Sequence, residues 1–512
     1  MGERAGVRAN LSTALVALSL LLTISATAAP QLAWEQRYNF GQPTRTNQVI
    51  AMTLDNAGDI IIAGSQANAN GDLDYAILKY SRSGTQHWAK TYNSGPQAND
   101  QLRAMTVDSN GNVYVTGTST TVKYSSQGLL QWVAPYGGRA LAADSNEFVY
   151  VVGFQTNDFA TVKLAPNGTN VWLRIHDRPF GGDIAQAVAL GPAGEVYVGG
   201  TVTWAYDRGG SYLKFALVKY DAAGVQLWVS PDFAPPDSLH VSNQFYQSEV
   251  RRIVVVDSSR VYLAGNFVGG SAGSYVTGFF DSEAGTNIWY YSGLGEGDGM
   301  TSMVVPSSGE VYMTGRLRGP GPRIIYRTIV LHTNGTLRWE SDFDTHTSSY
   351  NRANGIALDA LGNVFVTGQS ANSYSFPPPS FDFLTIKYDN NGHELWTKRY
   401  NGPANGSDIA IGIAVTPDGS IFVAGQSANT NGGTDITLLK YVDFENIQWL
   451  PNGAVLLQFP AASGQSVRFQ ASTNLTTWEH LATVTAPPDC IARYTDTTVS
   501  QHPHRFYRLA IP

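Results

Sequence analysis

Residues 355–400, GIALDALGNVFVTGQSANSYSFPPPSFDFLTIKYDNNGHELWTKRY, decide the fold. Four short runs, 355–359, 363–368, 383–388 and 395–400, are built mainly from Val, Ile, Phe, Tyr and Thr, side chains that suit a pleated, half-buried surface. Asp, Asn, Gly and Pro fill the intervals as turn formers. No window keeps the helical i, i+3, i+4, i+7 pattern, so the stretch is expected to be a four-stranded antiparallel meander.

The same frame recurs along the chain. A second-strand signature ending in glycine occurs at IIIAG to Gly64, VYVTG to Gly117, VYVVG to Gly153, VYVGG to Gly200, VYLAG to Gly265, VYMTG to Gly315, VFVTG to Gly368 and IFVAG to Gly425. A fourth-strand signature, Gly-x-x-x-Trp, starts at Gly84, Gly128, Gly168, Gly224, Gly285, Gly335 and Gly392. Glycine there supplies the positive φ of a tight hairpin or bulge, and the Trp is expected to cover the flank of its own sheet. One such sheet cannot bury both faces, so it must stack on copies of itself. Short hairpins, without helices or a rung-like hexapeptide period, favour a propeller over a solenoid.

The eighth unit runs from Gly412 through Gly425 to Tyr441 but lacks its Gly-x-x-x-Trp. Trp34-Glu-Gln-Arg-Tyr38, without a unit before it, matches residues 88–92 and 396–400. The expectation is an all-β, eight-bladed propeller closed by the N-terminal strand, with seven blades plus a degenerate unit as the alternative. Trp449 also lies at a suitable offset from Tyr441, but Glu445 replaces the glycine, so Trp449 is assigned to the next domain.

Units such as DALGNVFVTG with FLTIKYDNNGHELW resemble the SBBP-type β-propeller repeats of secreted bacterial proteins, over roughly residues 34–441. The resemblance implies the fold and leaves the activity open. Phe279-Phe280 and Val330-Leu331 depart from the Lys-Tyr pair seen at Lys79-Tyr80, Lys123-Tyr124, Lys219-Tyr220, Lys387-Tyr388 and Lys440-Tyr441, which puts the register of those two units in doubt. Lys-Tyr-x-x-x-Gly-x-x-x-Trp is also similar to the Trp-docking repeat of eight-bladed PQQ enzymes. That resemblance implies a quinoprotein-like oxidoreductase alternative, but those enzymes commonly carry vicinal cysteines and this chain has one Cys.

Loop lengths separate the two ends of the meanders. Asp55 to Gly64, Asp108 to Gly117 and Asp359 to Gly368 each span nine positions, whereas the second-to-third connection varies from Thr118-Ser119-Thr120 to residues 369–381. The fourth-to-first connection is equally variable, from Gly137-Gly138-Arg139 to residues 230–249. Variable loops on a rigid frame are where recognition is placed. The candidate ligand-binding residues are Trp204, Tyr206, Tyr212, Phe245, Tyr246, Tyr374 and Phe376 with Arg316 and Arg318, joined by Arg323; Phe233 and residues 377–379 lie in the same connections. Packing of these aromatics within their own loops is the competing reading.

The chain carries 43% hydrophobic and 14% charged residues with a formal net charge of -7, and shows no basic stripe, which argues against nucleic acid. Residues 1–28 read as a secretory signal: Arg4 and Arg8, an apolar run over 15–24, and Ala26-Thr27-Ala28. The run is shorter than the ~20 residues that span a bilayer, and no later segment is a transmembrane candidate. The lone Cys490 excludes an intramolecular disulfide and a cysteine-based metal cluster.

Asp-x-x-Gly turns such as 55–58 and 108–111 lack the oxygen pattern of calcium loops and read as Asx-capped hairpins; calcium is conceivable there but not indicated. Asn167-Gly-Thr, Asn334-Gly-Thr, Asn405-Gly-Ser and Asn474-Leu-Thr fit the glycosylation pattern, yet Asn-Gly at three of them reads as turn chemistry. His502-Pro-His504 needs partners from elsewhere to hold a metal. No catalytic, cofactor or metal motif stands out. Beyond 443 six short alternating strands (447–450, 455–459, 467–471, 480–484, 493–496, 506–511) suggest a fibronectin III-like sandwich over 444–512, after a propeller over 29–443. The expectation is a secreted or cell-surface (or periplasmic) non-catalytic scaffold that recognises a protein, peptide or glycan; a carbohydrate-binding or hydrolytic propeller is the alternative.

Overall fold

The computed structural model describes residues 30–510 other than 156, 178–181, 206–210, 232–246, 270–271, 296–298, 320, 322, 345–348, 372–379, 417–418, 443–446, 451–452, 461–463, 475, 488–490 and 503–504. The expected leader over 1–28, Glu445, Cys490 and His504 lie outside the described residues. The described chain is built from strands, with a short 3-10 turn at Val499–Gln501, and none of it is a helix long and apolar enough to cross a membrane.

Up to residue 442 the strands form six four-stranded antiparallel sheets and one eight-stranded sheet. The eight-stranded sheet is two four-stranded meanders joined by a parallel bridge, Ile324 to Tyr350. In chain order these are sheet 1 (47–92), sheet 2 (102–134), sheet 3 (140–176), sheet 4 (184–229), sheet 5 (247–295), sheets 6 and 7 (299–343 and 350–400), and sheet 8 (408–442). Sheet 7 holds Tyr350–Leu358, Val364–Ala371, Asp382–Tyr388 and Glu394–Tyr400, so its first strand starts earlier than the sequence pattern suggests.

Both faces of each middle strand are covered, which is why the signatures read as continuous apolar runs. Successive side chains of a strand point to opposite faces. Ile60 and Ile62 enter a core with Phe422, Ala424, Ile436 and Leu438 of sheet 8, while Ile61 and Ala63 enter a core with Val113, Val115 and Val122 of sheet 2. Each fully buried large side chain contributes roughly 1.5–3 kcal/mol relative to exposure.

The tryptophans join neighbouring sheets. Trp88 of sheet 1 lies against Gly128, in the last turn of sheet 2, and its Nε1 donates to the Ser126 carbonyl at 3.0 Å. Gly128 has φ 76°, and a Cβ there would sit 2.8 Å from the indole. The pairs Trp132–Gly168, Trp172–Gly224, Trp228–Gly285, Trp289–Gly335 and Trp339–Gly392 repeat the contact. The Trp therefore packs on its own sheet, as in Tyr114–Trp132 and Tyr150–Trp172 with ring centroids 6.1 Å apart, and at the same time docks on the next sheet's turn. Positive φ at this glycine is as the sequence suggests, but closeness to the neighbouring indole forbids a side chain independently.

The Lys-Tyr lysines use the same seam. Lys79 Nζ reaches Asp55 at 2.7 Å and the Ser126 carbonyl at 3.5 Å, and Lys219 Nζ reaches the Ser282 carbonyl at 2.9 Å, the acceptor that Trp228 also uses. Phe279 replaces this lysine by stacking on Tyr262 with ring centroids 5.0 Å apart. The doubtful units keep their register: Phe279 lies opposite Trp289 and Val330 opposite Trp339, as Lys79 lies opposite Trp88.

Sheet 8 takes its fourth strand from the other end of the chain. Gln31–Tyr38 pairs antiparallel with Thr434–Val442, Trp34 opposite Lys440. Arg37 fastens it: Nε to Asp435 at 2.9 Å, Nη1 to Tyr400 Oη at 3.0 Å and Ser427 Oγ at 2.9 Å, and Nη2 to the Ala428 carbonyl at 2.8 Å. Trp34 meets Gly84 of sheet 1, and Lys440 Nζ reaches the Arg82 carbonyl at 3.4 Å, the same docking pattern.

After residue 446 two three-stranded sheets follow: Ile447–Trp449, Val455–Pro460 and Ile491–Asp496 in one, Glu479–Thr485, Ser466–Ser472 and Phe506–Ala510 in the other. Val455, Leu457, Val467, Phe469 and Ala492 share a core between them.

Candidate functional site

The signature glycine at the end of each second strand has a second task. Gly117 does not have positive φ, yet a Cβ on it would fall 2.1 Å from the Gln101 carbonyl, and at Gly64, Gly200 and Gly368 the Gln48, Ile184 and Arg352 carbonyls come as close. Those carbonyls lie on the first strand or, for Gln101, immediately before it, and in that strand pairing slips by one residue between Leu102 and Ala104, Val49 and Ala51, Ala185 and Ala187, and Ala353 and Gly355. The glycine makes room for a β-bulge, which inserts one extra residue and re-aims its side chain.

The extra residue always lies fourteen positions before the signature glycine: Ile50, Arg103, Gln186, Arg251, Thr301, Asn354 and Ile411, with Arg139 at the equivalent offset in sheet 3. The first strands of sheets 1, 2, 4, 5 and 6, with Arg139 and Ala140 of the third unit, line a cavity of about 900 Å³ through Ile50, Arg103, Arg139, Gln186, Arg251 and Thr301 among others. Three polar extra residues stitch neighbouring sheets. Gln186 Oε1 accepts from the Val250 N–H at 2.8 Å, Thr301 Oγ1 donates to the Ala353 carbonyl at 2.7 Å, and Asn354 Nδ2 donates to the Ala410 carbonyl at 2.8 Å.

The arginines meet other charges. Arg251 pairs with Glu249 at 2.8 Å. Burial, and then the Arg139 guanidinium, push the Arg103 pKa below its usual value; burial, and then Arg316, do the same to Arg352. Simple strand alternation misses this lining because the bulge breaks the alternation, but the constant offset from the glycine finds it.

The constant turns lie at the far end of the first strands from these arginines. Asp108 Oδ1 accepts from the Asn110 and Asn112 N–H groups at 2.8 and 2.9 Å, and Asp55, Asp144 and Asp359 do likewise, so these carboxylates cap their own turns. Asn167 and Asn334 cap theirs through Thr169 and Thr336. The variable connections share the arginine end. Buried Asp100, in one connection, accepts from Ser94 N–H at 2.6 Å and from Ser119 Oγ in the other at 3.2 Å. Asp408 ties Gly402, Ser427 and Ala428 together in the same way, and burial raises its pKa.

Several stretches that sequence pattern reads as loops are paired hairpins. Val196–Ala205 pairs with Ser211–Tyr220 well past Gly200, and Trp204 stands opposite Tyr212. Arg260–Gly269 with Ala272–Asp281, and Val311–Gly319 with Arg323–Leu331, extend similarly past Gly265 and Gly315, whereas sheet 2 stops at Gly117. Arg316 and Arg318 share one face of the sheet 6 hairpin; Arg318 is exposed, and Arg323 pairs with Asp344 at 2.9 Å. Arg316 lies near enough to Arg352 for its charge to act on it. Tyr206, Phe233, Phe245, Tyr246, Tyr374, Phe376 and 377–379 lie outside the described residues. Among the described residues no group of three or more His, Cys, Asp or Glu could hold a metal.

A β-propeller repeat family, SBBP, matches residues 90–121. No curated protein matches the chain. Sqt1 from Chaetomium thermophilum, solved bound to the N-terminus of the ribosomal protein L10, superposes with a TM-score of 0.50 at 10% identity over 80% of this chain and 98% of its own. Kuenenia stuttgartiensis hydrazine synthase gives a TM-score of 0.41 at 11% identity over 69% and 99%, and Drosophila Plexin A in complex with Semaphorin 1b gives 0.41 at 9% over 82% and 88%. The repeat and the Sqt1 likeness establish a β-propeller scaffold.

Proposed function

We propose that the chain is an exported, closed eight-bladed propeller that recognises a protein, peptide or glycan without catalysis, through the end that carries the variable connections, with the terminal sandwich as a fibronectin III-like spacer or locating module. The one observation that carries this is the asymmetry of the two ends. Constant Asx-capped turns occupy one, while connections of unequal length occupy the other, with buried Asp100 tying the short one of sheet 2 and buried Asp183 accepting from the Thr203 N–H of the sheet 4 hairpin. Closure is supported by the pairing of Gln31–Tyr38 with Thr434–Val442, by the Trp34–Gly84 contact, and by the Val49 N–H, which donates to Gln426 Oε1 of sheet 8 at 3.0 Å. Two antiparallel three-stranded sheets that share one core support the terminal module.

The test replaces Trp204 and Tyr206 by Ala and, separately, residues 203–213 by a two-residue Asn-Gly turn, then compares binding to peptide and glycan arrays and capture of extracellular protein. Loss of binding by variants with unchanged circular dichroism is expected. Full binding by both folded variants rejects this end as the recognition surface.

A further inference from the structure

The cavity has a charge pattern that the loop end does not explain. Of the eight residues at the bulge offset, three are arginines, and Arg103, Arg139 and Arg251 all line the cavity. Arg252 lines it too, and Arg352 lies near enough to Arg316, Arg251 and Glu249 for their charges to act on it. Glu249 is the acid among these arginines and is paired with Arg251; Asp55 and Asp108 also line the cavity, at the turn end, where Lys79 pairs with Asp55 and Tyr114 donates to Asp108. Among the described residues no carboxylate forms a salt bridge with Arg103, Arg252 or Arg352, and Arg352 Nε is enclosed without a hydrogen-bond partner.

This concentration of positive charge sits in a chain whose formal net charge is -7. Arg103 and Arg139 are half-buried and Arg251 and Arg252 exposed; like charges gathered on one such lining repel, and an anion relieves that repulsion. Guanidinium presents a planar fork that matches carboxylate or phosphate oxygens bidentately. A cavity of about 900 Å³ accommodates a small molecule.

We propose that the arginine tier of the cavity is a binding site for a small multivalent oxyanion, a polycarboxylate or a phosphate compound. Arg103, Arg139 and Arg251 supply the forks from three sheets, and Glu249 competes with the ligand for Arg251. The site concerns the cavity and not the outer hairpins, so it stands even if the loop end binds nothing.

The full chain without its leader is titrated with citrate and with inorganic phosphate by isothermal calorimetry at constant ionic strength, sodium chloride serving as the blank. Saturable binding of at least one is expected; citrate alone identifies a polycarboxylate site, phosphate alone a phosphate site. The double variant Arg103→Gln/Arg251→Gln should weaken that binding at least tenfold, while Arg468→Gln in the terminal sandwich leaves it unchanged. Glu249→Gln keeps every arginine and should tighten binding severalfold, which provides a test even if the double variant does not fold. No saturable heat with either anion, equal affinity in the double variant, or unchanged or weaker affinity in Glu249→Gln overturns the proposal.

Discussion

Replacing Gly128 by Ala probes the seam between sheets with a single methyl group. The residue has φ 76°, and forcing an L side chain into that region costs roughly 1–2 kcal/mol. The new Cβ would also lie 2.8 Å from two ring carbons of Trp88, and an overpacked contact of that kind adds about 1–3 kcal/mol. The sum is roughly 2–5 kcal/mol. Gly71→Ala separates the two parts, because Gly71 has φ 90° and no heavy atom within 4 Å of the place its new Cβ would take, so only the backbone cost of about 1–2 kcal/mol applies. Urea unfolding followed by far-ultraviolet circular dichroism measures both. Trp88→Ala costs about 3–5 kcal/mol alone, and in that background Gly128→Ala should fall back to the Gly71→Ala value, a coupling of at least about 1 kcal/mol. If Gly128→Ala costs no more than Gly71→Ala, and adds to Trp88→Ala without coupling, the docking argument is wrong.

Arg37→Ala should free the N-terminal strand. It strands the Asp435 carboxylate, whose side chain is 10% exposed, at a cost of about 3–5 kcal/mol, and hydrogen exchange should accelerate over Gln31–Tyr38 while sheets 3 and 4 stay protected; uniform exchange would contradict it. Burial pushes Tyr75, Tyr124 and Tyr220 up to about 12, so the unfolded chain ionises first, near pH 10. Their contribution to stability is therefore complete below about pH 10 and fades towards about pH 12; ionisation of these three near pH 10 without unfolding, followed by tyrosinate absorbance in Tyr→Phe variants, would refute it. The hydrogen bond from Lys123, 2.6 Å away, holds Glu147 below the usual carboxylate range. Its contribution is present above about pH 4.5 and is lost as pH falls through the lower folded value, so Glu147→Gln should flatten the acid limb of the stability curve.

The repeating frame was legible because two periodic signals coincided, apolar middle strands and glycines at fixed offsets from Trp. The N-terminal strand could be assigned to sheet 8 because Trp34 had no unit of its own. The partner of each Trp was not legible: its four-residue offset from glycine lies within one unit, whereas the contact is with the next unit's glycine, as Trp88 with Gly128. The cavity lining was also hidden, since the bulge at Arg103 defeats strand alternation and only a comparison of all eight units exposes the fourteen-residue offset. At the loop end, sequence variability located the candidates but took the Trp204–Tyr212 hairpin for loop, because length without turn residues at its base resembles irregular chain. Arg316 was selected as part of a loop cluster; it lies on a strand, near enough to Arg352 for its charge to act on it.

The pairing of the first strand with sheet 8 can be measured by register-specific cross-linking in the Cys490→Ser background. Gln36 lies opposite Leu438, whereas Thr434 is four residues further along the partner strand, roughly 13 Å away. Under mild oxidation, Gln36→Cys/Leu438→Cys should form a disulfide within a single chain, and Gln36→Cys/Thr434→Cys should not. Disulfide-linked dimers in place of the intrachain bond, or equal yields from both pairs, would contradict a ring that closes through its own N-terminal strand.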